Sequence, residues 1–154
     1  MKNTIRKKRG FTLIELMFVI VIVAIIVAIA IPSYQQYMRR AEAAKVNQEM
    51  LRIAQELEKH KARNFSYVGF ALGSTTYNIP NTSYTLLIVD GMATNPALND
   101  STATGQSWVM KANANDSYSK KFSFLLDSKG YKCKNTAFAN ISYSNCGVGG
   151  VNEW

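Results

Sequence analysis

The chain has 154 residues, 47% hydrophobic and 18% charged, with 18 Lys+Arg against 10 Asp+Glu, a length that suits about one domain. Five of the eight net positive charges, Lys2, Arg6, Lys7, Lys8 and Arg9, lie within residues 2–9, so the pI of 9.6 is mostly a leader property. The rest is nearly neutral, with seven basic and five acidic residues over 11–63 and six and five over 64–154, which argues against a strong nucleic-acid binder built on many phosphate contacts.

From Phe11 to Ile31 only Thr12 and Glu15 are not apolar, and Leu16 to Ile31 is an unbroken apolar run of sixteen residues. A simple soluble enzyme is disfavoured by this segment alone. At a rise of ~1.5 Å per residue it is about 31 Å long as a helix, matching a hydrocarbon core of roughly 30 Å. Lipid forces the backbone to satisfy its own hydrogen bonds, so the Val/Ile-rich run is expected to be helical despite its β-branched residues. The preceding basic cluster is expected to stay cytoplasmic, which exports everything after Ile31. A secretory signal peptide is the alternative, since Ala28-Ile29-Ala30 offers an A-x-A-like cleavage site. Against it stands Glu15, a carboxylate that membrane insertion penalises by roughly 2.5 to 3.5 kcal/mol near a helix centre and less near its end.

The segment Lys8-Arg9-Gly10-Phe11-Thr12-Leu13-Ile14-Glu15 resembles the class III prepilin signal of type IV pilins and pseudopilins. The resemblance implies that residues 1–10 are a leader removed by a membrane prepilin peptidase, which cuts after Gly10 and N-methylates Phe11. Residues 11–31 would then survive as a membrane and assembly helix. Pro32 falls where the family commonly has a helix-kinking proline. Cleavage would create a cationic amine at Phe11 in the layer that holds Glu15, and the resemblance implies an intermolecular pair: Glu15 of one subunit with the Phe11 amine of its neighbour. Buried ion pairs specify partner and register better than they stabilise, because leaving either charge alone is costly.

Over 32–63 the pattern becomes amphipathic, with Ala43, Val46, Met50, Ile53 and Leu57 at spacings of three and four residues. Opposite charges at helical spacing, Glu42 with Lys45, Glu49 with Arg52 and Glu56 with Lys59, are expected on solvated faces. A helix over 11–63 would be about 80 Å long, more than a fold of this size needs internally. A coiled-coil seam fits the same spacing but lasts only about two heptads, so packing on the chain's own sheet is preferred. His60, the lone histidine, sits among Lys59, Lys61 and Arg63 and reads as a solvated or dipole-favoured terminal residue.

Residues 64–154 hold 11 Asn, 11 Ser and 8 Thr, a composition suited to turns. Strand-like runs cover 83–89, 107–112 and 121–126, and Asp127-Ser128-Lys129-Gly130 turns into Tyr131-Lys132-Cys133. Three or four short strands in an antiparallel meander, covered by the Val46 to Leu57 stripe, give a small α+β head. Cys133 and Cys146 are the only cysteines, and an exported head with little interior is expected to join them in a disulfide closing the loop 133–146. That loop resembles the C-terminal disulfide loop of type IV pilins.

No G-x-S-x-G, P-loop, HExxH or metal-ligand spacing is present, so neither catalysis nor a cofactor nor a metal is expected. Gly147-Val148-Gly149-Gly150 reads as flexible tail. Asp90, Asp100 and Asp116 read as solvated loop carboxylates; some type II secretion pseudopilins bind calcium in such loops, but no dense acidic series is visible. Sequons at Asn64, Asn81, Asn99, Asn115 and Asn140 follow from composition and support surface exposure. Lys120, Lys121, Lys129, Lys132 and Lys134, interleaved with Phe122, Phe124 and Tyr131, are the densest basic stretch and the candidate contact for DNA phosphates, although strand alternation is expected to bury the phenylalanines.

The reading is the type IV pilin fold and a non-enzymatic pilus subunit, most like a minor pilin of the PilE-like kind, a family role linked to twitching motility, adhesion and DNA uptake. The alternatives are a major pilin, a type II secretion pseudopilin and a pilus-associated DNA receptor. Implied partners are other major and minor pilins, the prepilin peptidase, the pilus assembly platform, the inner membrane before assembly and, at a lower rank, DNA. The implied location is the inner membrane with a periplasmic head, then the extracellular filament.

Overall fold

The computed structural model describes residues 10–72, 76–115 and 121–154. Helix α1, Leu13–Asn64, is followed by β1 (Thr76–Asn78), β2 (Tyr84–Asp90), β3 (Trp108–Ala114), β4 (Ser123–Asp127), β5 (Lys132–Asn135) and one 3₁₀ turn at Phe138–Asn140. The strands form one sheet in the order β1-β2-β3-β4-β5, every neighbouring pair antiparallel. This is the expected antiparallel meander, with five strands where the hydrophobic pattern announced three or four. By its contacts the chain divides into two units, Met1–Met38 and Arg39–Trp154.

In the first unit every large apolar side chain from Leu13 to Ile31 is between 44% and 78% exposed. This stretch is long and apolar enough to cross a membrane by length and composition. Pro32 lies inside the helix, where it removes one backbone donor from the ladder.

In the second unit the amphipathic stripe does what its spacing requires: Val46, Met50, Ile53 and Leu57 are fully buried. They meet the inner face of the sheet, Tyr84 and Leu86 of β2, Trp108, Met110 and Ala112 of β3, and Phe124 and Leu126 of β4. Each such side chain contributes roughly 1.5–3 kcal/mol by leaving water. Alternation sends Val89, Val109, Leu125 and Cys133 to the opposite face, where Ile141 and Cys146 of the C-terminal loop cover them. The sheet is therefore buried on both sides, by a helix on one and by the disulfide loop on the other.

Several expectations are corrected. Glu42 does not pair with Lys45: its Oε2 accepts from Lys121 Nζ at 2.6 Å and its Oε1 from Ser83 N and Oγ at 2.6 and 2.9 Å. Glu49 does pair with Arg52, but Glu56 meets that same guanidinium instead of Lys59. His60 is half-buried, with Nε2 3.0 Å from the Val68 carbonyl oxygen and its ring edge-on to Phe70. Asp90 is no solvated loop carboxylate; it ends β2 and is fully buried. Asp100 is exposed and accepts from Thr102 N and Oγ1, while Asp116 lies outside the described residues. The 147–150 segment is a fastened turn: Asn135 Nδ2 donates to the Cys146 and Val148 carbonyls, and Val151 exchanges two backbone bonds with Lys134. A Cβ at Gly147, where φ is +60°, would collide with the Asn140 carbonyl, so a glycine is required there.

Candidate functional site

Three regions carry the residues singled out from the sequence. The first is the start of α1. Thr12 precedes the helix and makes a reciprocal cap with Glu15: Glu15 N donates to Thr12 Oγ1 at 3.3 Å, and Thr12 N and Oγ1 donate to Glu15 Oε2 at 3.2 and 3.0 Å. This is a capping box, which satisfies two otherwise orphaned donors and places a carboxylate at the positive end of the helix dipole. The T-x-x-E spacing ahead of an apolar run was the available signal, overshadowed by the membrane reading of the same residues. Phe11 is 85% exposed beside it, and a side chain at Gly10 would meet open space, so packing does not demand that glycine.

The second region is the lysine stretch. Lys120 lies outside the described residues. Lys121 is sequestered: its side chain is only 11% exposed, and its ammonium is shared between Glu42 and Ser83 Oγ at 2.7 Å. Lys132 and Lys134, two residues apart on β5, point to one face, the first over the Trp154 ring at 5.3 Å and the second over the Phe122 ring at 5.3 Å. Lys129 stands in the turn before β5, closed by Gly130 N to Asp127 O. Phe124 is buried as alternation requires, whereas Phe122 precedes β4 and stays 37% exposed. Trp154 Nε1 donates to the Leu125 carbonyl, and its ring meets Phe124 edge-on. The structure thus keeps Lys129, Lys132 and Lys134 available at one sheet edge and removes Lys121 from that group.

The third region is the loop pair on the outer face. Cys133 and Cys146 form a disulfide, with Cα atoms 5.9 Å apart. Opposite it, Asp90 organises the loop after β2. Burial resists ionisation of Asp90, but donation from Gly105 N, Met92 N and Thr104 Oγ1 outweighs it and holds the carboxyl below its ordinary range. Asn95, with φ +44°, donates from Nδ2 to the Asp90 and Met92 carbonyls. Between these loops lies Lys111, buried in the middle of β3, where the sequence pattern marked only a strand position. A charge flanked by the apolar residues Met110 and Ala112 was the signal available for it. Among the described residues no three His, Cys, Asp or Glu side chains gather as they would around a metal ion.

Comparison with known proteins matches two family models to the chain, a prokaryotic N-terminal methylation motif over residues 5–31 and type IV minor pilin ComP, DNA uptake sequence receptor, over residues 32–148. Among curated relatives, prepilin peptidase-dependent protein D of Escherichia coli (strain K12) is 69% identical over 35 residues, 23% of this chain and 24% of the relative. The type IV major fimbrial protein FimA of Dichelobacter nodosus is 52% identical over 42 residues, 27% of each chain. A fimbrial protein of Pseudomonas aeruginosa is 37% identical over 83 residues, 53% of this chain and 54% of the relative. The matches thus span from about a quarter to about half of those relatives' length. No solved structure matches.

Proposed function

Because the chain belongs to the family described as type IV minor pilin ComP, DNA uptake sequence receptor, we propose that it is a type IV pilus subunit of the minor kind, which acts by polymerising and takes part in DNA uptake. The observation that carries this reading is the bare apolar surface from Leu13 to Ile31. Contiguous apolar surface on that scale needs lipid or neighbouring subunits to cover it. Lipid serves before assembly, with the head on the periplasmic side of the inner membrane, and other pilins serve in the extracellular filament.

The prepilin peptidase removes residues 1–10 after Gly10 and methylates Phe11, and the assembly platform draws the mature chain from the membrane. Glu15 then exchanges its local cap at Thr12 for the Phe11 amine of an adjoining subunit. The capping box supports this by keeping the carboxylate satisfied while the chain is stored alone. Lys129, Lys132 and Lys134 supply phosphate contacts for DNA at the sheet edge, a role favoured by the family's description and by the aromatic rings beneath two of the ammonium groups.

Glu15→Ala tests the pairing. The expected result is a chain stored in the membrane and at least tenfold depleted from sheared filaments. Thr12→Ala breaks the cap but leaves the charge, and it should be incorporated nearly normally. Normal incorporation of Glu15→Ala refutes the pairing, and equal depletion of both variants assigns the effect to helix capping. A minor subunit should also be scarce in those filaments, whereas a major pilin would dominate them; a pseudopilin would instead be required for protein secretion.

A further inference from the structure

We propose that the end of the head where α1 enters it docks on the anionic phospholipid headgroups of the storage membrane, through Arg39 and Arg40. The inference rests on the reading above that the apolar segment is held in a membrane before assembly. Arg39 is the first residue of the second unit, and the two arginines follow one another on α1, Arg39 half-buried and Arg40 exposed. Helical spacing offers Arg39 a local partner in Glu42, three residues on. The structure does not use it: Glu42 gives Oε2 to Lys121 and Oε1 to Ser83. Glu49 and Glu56, the next carboxylates along α1, both meet Arg52. Asp90 and Asp127 end β2 and β4 at the far end of the sheet, since Ser83, held by Glu42, leads into the start of β2. Among the described residues, neither arginine has an ion-pair partner.

Placement along the chain supplies the occupant. Ile31 ends the apolar run, and Tyr34 and Tyr37 follow it, 65% and 68% exposed. At ~1.5 Å per residue they come about 4.5 and 9 Å of helix after Ile31, and Arg39 and Arg40 about 12 and 13.5 Å after it. A headgroup layer adds roughly 5–8 Å to each side of a hydrocarbon core. Tyrosines belong in that layer, where their amphipathic rings bridge hydrocarbon and water. Side chains on a helix slope toward its N-terminus, so both guanidinium groups reach back from their Cα atoms toward the lipid phosphates. Their aliphatic stems lie along the helix while the charged heads stay at the wet surface. A guanidinium presents a planar fork of donors to phosphate oxygens, and anionic lipid adds the negative charge that the chain withholds from these two cations. Basic residues on the exported side of a span also work against its orientation, a bias that the five of residues 2–9 outnumber. Two arginines that oppose that bias and lack a counter-ion of their own are matched to a partner outside the chain.

The test uses the full chain reconstituted in bilayers of phosphatidylcholine, alone or mixed three to one with phosphatidylglycerol. Resistance to carbonate extraction reads insertion. Solid-state NMR then reads two local signals: dephasing of the assigned Arg39 and Arg40 Cζ resonances by lipid phosphorus, and broadening of the 39–43 amides by a headgroup-bound spin label. The proposal expects both Cζ resonances to dephase in the mixture and at least threefold less in phosphatidylcholine alone. It expects Arg39→Gln with Arg40→Gln to reduce the amide broadening in the mixture at least threefold, and Arg39→Lys with Arg40→Lys to keep it. Equal dephasing in the two bilayers would overturn the anionic assignment. No dephasing in an inserted chain would overturn the docking and leave membrane storage standing, whereas failure to insert would overturn both. A glutamine double variant that matches the unaltered chain in bilayers but is depleted from sheared filaments would assign the arginines to a neighbouring subunit and overturn the proposal. Dephasing in the unaltered chain decides the matter even if a variant does not fold.

Discussion

Asp90→Ala should cost this head about 2–4 kcal/mol, a large part of the total stability of a small domain. The carboxylate accepts from Gly105 N at 2.7 Å, Met92 N at 3.0 Å and Thr104 Oγ1 at 2.9 Å. Alanine leaves those donors without an acceptor, at about 1–3 kcal/mol for each buried group that stays dry. Gly105 cannot swing out to water: its carbonyl accepts from Tyr67 N, its φ is +64°, and Ser66 and Val68 occupy the space a Cβ there would need. Met92 N has more freedom, which places the expectation in the lower part of the two-group range. Thr104→Ala removes one hydroxyl donor and should cost only about 1 kcal/mol. Urea unfolding of the full chain in non-ionic detergent, followed by the fluorescence of buried Trp108, measures both. The pH dependence has a fixed sign. Because the folded pKa of Asp90 lies below the ordinary 3.8, its contribution is complete above that value and is lost as pH falls through the folded one. The gap between the unaltered chain and Asp90→Ala should therefore narrow in acid. A loss under about 1 kcal/mol at neutral pH, or a gap that does not change in acid, would refute the reasoning.

Removing both Cys133 and Cys146 should lower stability by about 3 kcal/mol, the chain-entropy value for a bridge with a sequence separation of 13, and should raise hydrogen exchange over 137–147 before the inner face responds. Unchanged unfolding would mean that Asn135 and the Val151 bridge alone hold the loop. Glu42→Gln should cost about 1–3 kcal/mol, since it removes the carboxylate charge that meets Lys121 in a largely buried setting. Burial opposes ionisation of Glu42, but Lys121 and Ser83 prevail and hold its pKa below 4.5. The pair's contribution is thus complete above pH 4.5 and lost as pH falls through the lower folded value, and an equal cost at pH 7 and in strong acid would contradict the assignment.

The parts of this fold that were readable in the sequence are those with a period. The stripe from Val46 to Leu57 and the alternation in β2 to β4 repeat at spacings set by backbone geometry, and the cysteine pair was legible because the sequence holds two cysteines and no more. Strand β1 has three residues, Thr76–Asn78, too few to show alternation, and it forms only because β2 offers it an edge. Glu42 illustrates a different loss. Its neighbours in sequence included Lys45 at helical spacing, but the partner it takes is 79 residues away, and a buried contact with two further donors outweighs a solvated pair worth a few tenths of a kcal/mol. Asp90 reads as a solvated loop carboxylate in the sequence because a carboxylate buried on backbone donors has no local signature. Lys111 was passed over for the same reason: only the loop folding across the outer face turns a strand lysine into a caged cation. At the N-terminus, T-x-x-E was legible both as a capping box and as an assembly carboxylate, and the structure holds it in the first arrangement.

The central claim is that the apolar part of α1 outlives processing and becomes the interior of a polymer. The intact mass of this chain recovered from sheared filaments tests it most directly. The account predicts a species starting at Phe11, heavier by one N-methyl group and carrying one disulfide. A chain beginning at Ile31, or complete absence from the filaments of cells that express it, would contradict it.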